Sequence, residues 1–514
     1  MDTNLVAVLG SGTMGAGIAQ AALRAGYPVL LYDVSDAALE RARSGIAAGL
    51  AKQGRAEAAE RLRTSGDLEA LAGAWLVIEA APEQLELKRQ LFAQAGARCP
   101  APAIVASNTS SLPIGALAAA CPDPQRVAGL HFFNPVHRMA LVEVIRAHQT
   151  DDATVAALLE FVARLGKTAV QARDTPGFIV NRVARPFYGE ALRIVGDGLA
   201  DYAAVDTALQ RAGGFPLGPF ALMDLIGIDI NFAVTRSMFE QSFFEPRYRP
   251  HLIQQQMVQS GTLGRKTGRG FYDYSQRQEA GDAPPAPSGT PAAGQAVLIG
   301  EGSWGPGVAD LCRAAGLRLL EELPYGTVDL AAAFVVAGRN EGAAEQVMIL
   351  DRQLPPGVPI LAQCADLSAC DLAALLDHPE RLVGFDGLFT EGALTLAATP
   401  LLSDEVRAGA EGLAHVLGRA PVWMADGPAL IVPRVVAMLA NEAAFALGEG
   451  VAGADTIDLA MRLGANHPAG PLARAAMLGY DKVVAILDHL RAEYGEERYR
   501  VAPALRRAAR IGRW

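Results

Sequence analysis

A histidine and a glutamate twelve positions apart, His131 and Glu143, have the residue types that proton transfer needs. His131 closes the apolar run Val127-Ala128-Gly129-Leu130, which reads as a buried strand, and Glu143 sits inside a second apolar run over 141–145. Asn134-Pro135 lies between them, and a residue before proline is pushed out of the helical region, so a turn is expected there. Two strands joined in this way bring the acid against the imidazole. The carboxylate then fixes the tautomer and stabilises the imidazolium, which makes a general base. A buried histidine merely satisfied by a neighbouring acid would leave the same pattern, so the pair has to be weighed with the elements around it.

The chain opens with a β-branched apolar run, Leu5 to Leu9, followed by Gly10-Ser11-Gly12-Thr13-Met14-Gly15 and a helical pattern to Ala25. Gly26 stops that helix, and a second apolar run ends in Asp33. Strand, GxGxxG, helix, strand and acid are the parts of a dinucleotide site. The glycines let the backbone approach a pyrophosphate, the helix N-terminus offers N–H groups, and Asp33 can take the adenine ribose hydroxyls. The flanks and the acid make this signal far more specific than the glycines alone. Val34-Ser35-Asp36 follows the acid with no arginine, which favours NAD over NADP.

The stretch 37–71 reads as charged helix, and its Lys52 is a candidate contact for an anionic ligand. A strand over 75–80 leads to Glu79 and Glu83, with Lys88 on a helix expected to begin near Glu83. By spacing alone, Glu83 and Lys88 look like a surface pair. A further strand over 103–106 runs into Ser107-Asn108-Thr109-Ser110-Ser111. A helix cap needs only one such side chain. Ligands in parallel sheets lie off the carboxyl ends of strands, so this polar cluster points to a site.

Taken together, GSGTMGAGIA, IEAAPEQLELK, SNTSSLPI, HFFNPV with its downstream LVEV, and TPGFIVNR stand in the order and spacing of the L-3-hydroxyacyl-CoA dehydrogenase family. The resemblance covers roughly residues 5–274. It implies an α/β Rossmann-type NAD-binding domain followed by an all-α domain, with NAD as cofactor and an acyl-CoA as substrate. It also implies that His131 is the catalytic base and Glu143 its orienting partner. Ser110 and Asn181 resemble the residues that hold the substrate oxygen, and Asn134 the family's site-lining asparagine. Glu83, Lys88 and Asn108 are similar to groups near the nicotinamide and the substrate. The β-hydroxyacid dehydrogenases share the GxGxMG opening, but they use a catalytic lysine and lack HFFNP followed by Glu143.

Asp174-Thr175-Pro176-Gly177 breaks the chain, and Phe178 onward reads as helix, with Asn181 in its first turns. Gly264-Arg265-Lys266-Thr267-Gly268-Arg269-Gly270-Phe271 lacks the strand and helix of a phosphate loop and reads as a structural tail. A Pro, Ala and Gly-rich linker covers 276–294. Beyond it the chain repeats itself: 297–307 retraces 7–17, and Asp426-Gly427-Pro428…Arg434 retraces Asp174…Arg182. The expected layout is therefore an NAD-binding Rossmann domain (1–173), a helical domain (174–275), the linker, a degenerate Rossmann-like domain (295–425) and a second helical domain (426–514).

In the second copy Asp386 stands where His131 does, Phe389 where Asn134 does, Leu396 near Glu143's place, and Pro433 for Asn181. An aspartate with an ordinary pKa near 3.9 cannot serve as the same base. The second half is expected to be scaffold, its helical domain packing against the first within the chain, with a homodimer of such chains also open. The long layout resembles phenylacetate-pathway members acting on 3-hydroxyadipyl-CoA, and 3-hydroxybutyryl-CoA dehydrogenases. The rival class is a non-catalytic dinucleotide-binding relative.

Composition is compatible with this. The 514 residues are 51% hydrophobic with a formal net charge of −10, which argues against nucleic acid as a partner. Five cysteines without metal spacing fit a reducing compartment, and neither a signal peptide nor a membrane-length apolar run is evident, so a cytoplasmic location is expected.

Overall fold

The computed structural model describes residues 4–99, 101–275, 295–322 and 329–514. The linker expected over 276–294 lies outside the described residues.

The first half builds an eight-stranded sheet from β1 (Leu5–Leu9), β2 (Val29–Tyr32), β3 (Leu62–Ser65), β4 (Ala74–Glu79), β5 (Ile104–Ser107), β6 (Val127–Phe132), β7 (Leu141–Arg146) and β8 (Thr168–Arg173). Their order is β3-β2-β1-β4-β5-β6-β7-β8, parallel throughout except for the antiparallel pair β6 and β7. The central strands β1, β5 and β6 are buried along their whole length, as continuous apolar runs require when helices cover both faces. The order reverses between β1 and β4, so a crevice opens at the carboxyl ends of these two strands. Within 37–71 only Asp36–Lys52 is α-helix. The rest makes two 3-10 turns and β3, a correction to the all-helical expectation. Leu62-Arg63-Thr64-Ser65 has no residue fully buried, so its sequence carries neither the alternation nor the apolar run by which strands are read.

The second half repeats the plan with β9 (Ala296–Ile299), β10 (Arg318–Leu320), β11 (Leu330–Val335), β12 (Ile360–Gln363), β13 (Leu382–Phe385), β14 (Ala393–Ala398) and β15 (Ala420–Ala425). The order β10-β9-β11-β12-β13-β14-β15 matches the first sheet strand for strand, with no counterpart of β3 among the described residues. The antiparallel pair recurs at β13 and β14. This is the duplicated α/β Rossmann-type architecture, with helical segments after each sheet.

By packing, the chain forms two compact units: Met1–Val183 with Ala446–Gly470, and Ala184–Phe445 with Pro471–Trp514. In the first unit the helix Ala454–Gly464, from the second half, packs on β7 and on the short helix Val180–Val183. In the second unit the helix Tyr202–Arg211, from the first half, packs on β14 and β15. Each sheet thus carries a helix from the other copy.

The second unit also joins the two helical segments through buried charge. Glu190, fully buried, accepts from Arg434 Nε (2.9 Å), Arg498 (2.5 Å) and the Tyr499 hydroxyl (3.1 Å). Glu442 accepts from Arg247 and the Tyr248 hydroxyl, both at 2.6 Å. The same Arg-Tyr pair, once from each copy, holds the buried glutamate of the other. Burial alone would raise the Glu190 pKa, but the Arg498 and Arg434 charges outweigh it and hold the carboxyl down at about 2.

Near Gly264 the tail read as structural makes a 3-10 turn, not a phosphate loop. The Phe271 and Tyr272 amides donate to the two oxygens of buried Asp224, each at 3.0 Å. Among the described residues, no helix is long and apolar enough to cross a membrane.

Candidate active site

Because β6 and β7 are antiparallel neighbours, His131 and Glu143 fall directly opposite each other in register. His131 Nδ1 lies 2.7 Å from Glu143 Oε2, with the histidine 5% exposed and the glutamate fully buried. The other carboxylate oxygen accepts the amides of Ile179 and Val180, each at 3.0 Å. Those amides lead into the helix Val180–Val183, and free N–H groups at a helix start favour a negative charge. Both oxygens of this buried carboxylate are thus satisfied, one by two amides and the other by the imidazole. Nδ1 is thereby committed to Glu143. Nε2 has no hydrogen-bond partner among the described residues and is the nitrogen left to meet a substrate. Phe133 and Phe178 stand against the ring, with centroids 4.6 and 5.9 Å away.

Asn181 is half-buried in that same short helix. Ser110 is half-buried in the loop after β5, the strand beside β6. Asn108 Oδ1 accepts the amide of Phe132 at 2.8 Å, which ties this loop to the residue after His131. Asn134 is exposed in the turn between β6 and β7.

Glu83 and Lys88 form something other than the surface pair that their spacing suggested. The helix begins at Leu85, near Glu83 as expected, but Lys88 is only 1% exposed. Its ammonium sits 2.6 Å from Glu79 and 3.1 Å from Glu83. Glu79, absent from the predicted site, is fully buried at the end of β4 and accepts from the Ser107 hydroxyl at 2.6 Å. Glu83 in turn takes the Thr109 hydroxyl, the Ser111 hydroxyl (2.9 Å) and the amides of Ser110 and Ser111 (both 3.2 Å). Burial pushes the Glu83 pKa up, but the Lys88 charge and the Thr109 and Ser111 hydroxyls more than reverse it. One lysine between two carboxylates therefore clamps the 107–111 loop against β4. The signal for Glu79 was a carboxylate at the end of an otherwise apolar strand.

The glycine turn has the shape of a phosphate cradle. Gly10 has φ of +103°, and a Cβ there would stand 2.7 Å from the Ala80 carbonyl. A Cβ at Gly15 would stand 1.9 Å from the Gly10 carbonyl, whereas one at Gly12 would meet nothing within 4 Å. Gly12 caps the helix Thr13–Arg24 without a side-chain bond, so no cap side chain occupies the first-turn amides. Thr13 is exposed and Met14 half-buried at this end. Asp33 Oδ2 accepts from the Ser11 amide (2.8 Å) and hydroxyl (2.7 Å), and Oδ1 from the Ser35 amide (3.1 Å). Burial raises its pKa, and these bonds bring it below the usual range, so Asp33 is held as an anion beside the cradle. The residues fit a dinucleotide. Lys52 is the exposed last residue of its helix, with no hydrogen bond or ion pair among the described residues.

The second copy differs at the strand ends, at the dyad and in the glycine turn. By strand pairing, β11 puts Val335 beside Ala362 where Glu79 stands beside Ser107. Asp386 donates its amide to the Thr395 carbonyl, so Thr395, not Leu396, faces Asp386 as Glu143 faces His131. The hairpin here is three residues shorter, nine against twelve, which displaces any count by equal spacing. The helix after the glycine stretch begins only at Val308. Glu341 already takes the Ser303 amide (2.9 Å) and hydroxyl (2.6 Å) in that turn.

A family model described as "3-hydroxyacyl-CoA dehydrogenase, NAD binding domain" matches residues 5–175, and one described as "3-hydroxyacyl-CoA dehydrogenase, C-terminal domain" matches twice, at 177–274 and 430–514. The chain is 39% identical to 3-hydroxyadipyl-CoA dehydrogenase of Escherichia coli (strain K12), over 99% of this chain and 98% of that protein. It is 40% identical to the probable 3-hydroxybutyryl-CoA dehydrogenase of Bacillus subtilis (strain 168), over 54% of this chain and 99% of the relative. A crystal structure named 3-hydroxybutyryl-CoA dehydrogenase, from Escherichia coli K12, superposes with a TM-score of 0.81 at 38% identity, covering 100% of this chain and 99% of that one.

Proposed function

The chain belongs to the 3-hydroxyacyl-CoA dehydrogenase family, and from that premise we propose that it oxidises an (S)-3-hydroxyacyl-CoA to the 3-oxoacyl-CoA with NAD, at one site formed around His131. The observation that carries this reading is the buried His131–Glu143 pair with Nε2 left open. His131 Nε2 takes the proton of the C3 hydroxyl as the C–H bond breaks. Glu143, anchored on two amides, balances the imidazolium charge that results. NAD, when bound, accepts the hydride. Gly10, Gly12, Thr13, Met14, Gly15 and Asp33 hold the cofactor. Ser110 and Asn181 hold the substrate oxygen, Asn134 lines the site and Lys52 meets the anionic end of the thioester. Glu83, Lys88 and Asn108 keep the 107–111 loop in place.

The relatives named for the reaction act on 3-hydroxyadipyl-CoA or on 3-hydroxybutyryl-CoA, and we take these two acyl groups as the candidates. The division at 173/174, 275/276, 294/295 and 425/426, a cytoplasmic location and an assembly of one or two such chains belong to the same proposal. Oxidation of NADH with acetoacetyl-CoA tests the activity. Turnover that vanishes in His131→Ala while NADH still binds is the expected result, and wild-type turnover in that variant would overturn the reading. Comparing 3-oxoadipyl-CoA with acetoacetyl-CoA then decides the acyl group.

A further inference from the structure

The unit that contains the His131–Glu143 pair also contains Ala446–Gly470, a piece of the half that lacks such a pair. Its helix, Ala454–Gly464, packs on the two elements that fix Glu143. One is β7, which carries the glutamate; the other is Val180–Val183, whose first amide is one of the two on Glu143 Oε1. The helix ends at Gly464. A Cβ built there would lie 2.7 Å from Leu141 Cδ2 and 2.8 Å from Val180 Cγ2, closer than side chains pack. The backbone at Gly464 lies outside the left-handed region, so glycine is required here for room and not for conformation.

The two neighbours would yield differently. Leu141 meets the added carbon with the tip of a flexible side chain. Val180 is β-branched and stiff at χ1 within a helix, so its displacement passes to its own backbone. A shift of about 0.5–1 Å there would stretch the 3.0 Å bond from the Val180 amide to Glu143 beyond hydrogen-bonding range. Asp174 and Asp426 set an offset of 252 between the helical copies. At that offset Ala212 answers Gly464, while Ala393 and Val432 answer Leu141 and Val180. Where no dyad is served, the small residue sits on the strand and the helix carries a methyl.

We propose that Gly464, supplied by the second half, is a positioning residue for the His131–Glu143 pair. Its missing side chain lets Val180 present its amide to Glu143. The proposal rests on His131 and Glu143 being the base pair of the reaction.

The full-length Gly464→Ala variant tests it, with Gly412→Ala as a control, since a Cβ at Gly412 meets nothing within 4 Å. In Gly464→Ala, kcat with acetoacetyl-CoA should fall about tenfold, with KM and the NADH dissociation constant changed by less than about threefold. Adding Val180→Ala removes the opposing methyls and should restore most of kcat. The control should keep wild-type kinetics. Wild-type kcat in Gly464→Ala would overturn the inference, as would a parallel loss of NADH binding or no recovery in the double variant. If His131→Ala and Glu143→Gln are themselves fully active, the base-pair reading fails instead.

Discussion

Laid strand on strand, the two halves separate what the fold needs from what the chemistry needs. Asp174 accepts the amides of Ile114 and Gly115, and Asp426 those of Ala369 and Cys370. Arg126 binds the carbonyls of Gly96, Cys99 and Ala103; Arg381 binds those of Asp351, Leu354 and Pro355. Glu190 and Glu442 hold matching Arg-Tyr pairs. The aspartates and arginines satisfy buried backbone and helix ends, the glutamates hold buried Arg and Tyr side chains, and both copies keep them. Glu79, Ser107, His131 and Glu143 have become Val335, Ala362, Asp386 and Thr395. The second sheet forms with none of those four side chains, so building the sheet does not require them.

The comparison is broken most directly at the base. His131→Ala or Glu143→Gln should lower turnover by about 10²–10⁴-fold with NADH affinity nearly intact, whereas Asp386→Ala should leave steady-state rates unchanged. Equal losses from both halves would mean that the second copy takes part in the reaction.

Next in size is the shared scaffold. Glu190→Gln leaves Arg434 and Arg498, both buried, without their counter-charge, and should cost about 3–5 kcal/mol in urea unfolding. The folded pKa of about 2 lies below the ordinary 4.5. The stabilisation from Glu190 is therefore complete above about pH 4.5 and lost as pH falls toward 2, and the gap between wild type and variant should close over that window.

The smallest effect belongs to the relic. Asp386 is fully buried, and burial raises its pKa to about 7 against the pull of the Phe389 and Leu388 amides and of Arg474, which corrects the ordinary carboxylate value expected from its residue type. The fold therefore prefers its protonated form, and stability is full below pH 3.8 and declines as pH rises through 7. Asp386→Asn keeps an oxygen for both amides and should gain about 1–3 kcal/mol at pH 8 while changing nothing at pH 4, read by thermal melts. A gain of the same size at both pH values would show that packing, not charge, sets the effect.

The cradle and the dyad were legible because their determinants are local. GxGxxG with its strand, helix and acid is one continuous unit, and a histidine and an acid in two apolar runs across a proline turn are close to a hairpin already. Other residues depended on neighbours that are remote in the chain. Lys88 looked like half of a surface pair because its second carboxylate, Glu79, belongs to the preceding strand and is fully buried. Thr395 was missed by one position because the copy's hairpin lost three residues, and only the ladder shows which residue faces which.

The sequence by itself determined that this chain is two dinucleotide-type sheets with helical segments, one armed with a histidine–glutamate pair and one not, since motif spacing and a tandem repeat are properties of the linear order. Tertiary structure alone decided that the helices are exchanged between the copies, that Glu143 rests on the amides of Ile179 and Val180, and that Gly464 comes within van der Waals range of Val180. Those outcomes depend on close approach between segments up to several hundred residues apart, and side-chain volume at such a contact leaves no periodic trace in the sequence.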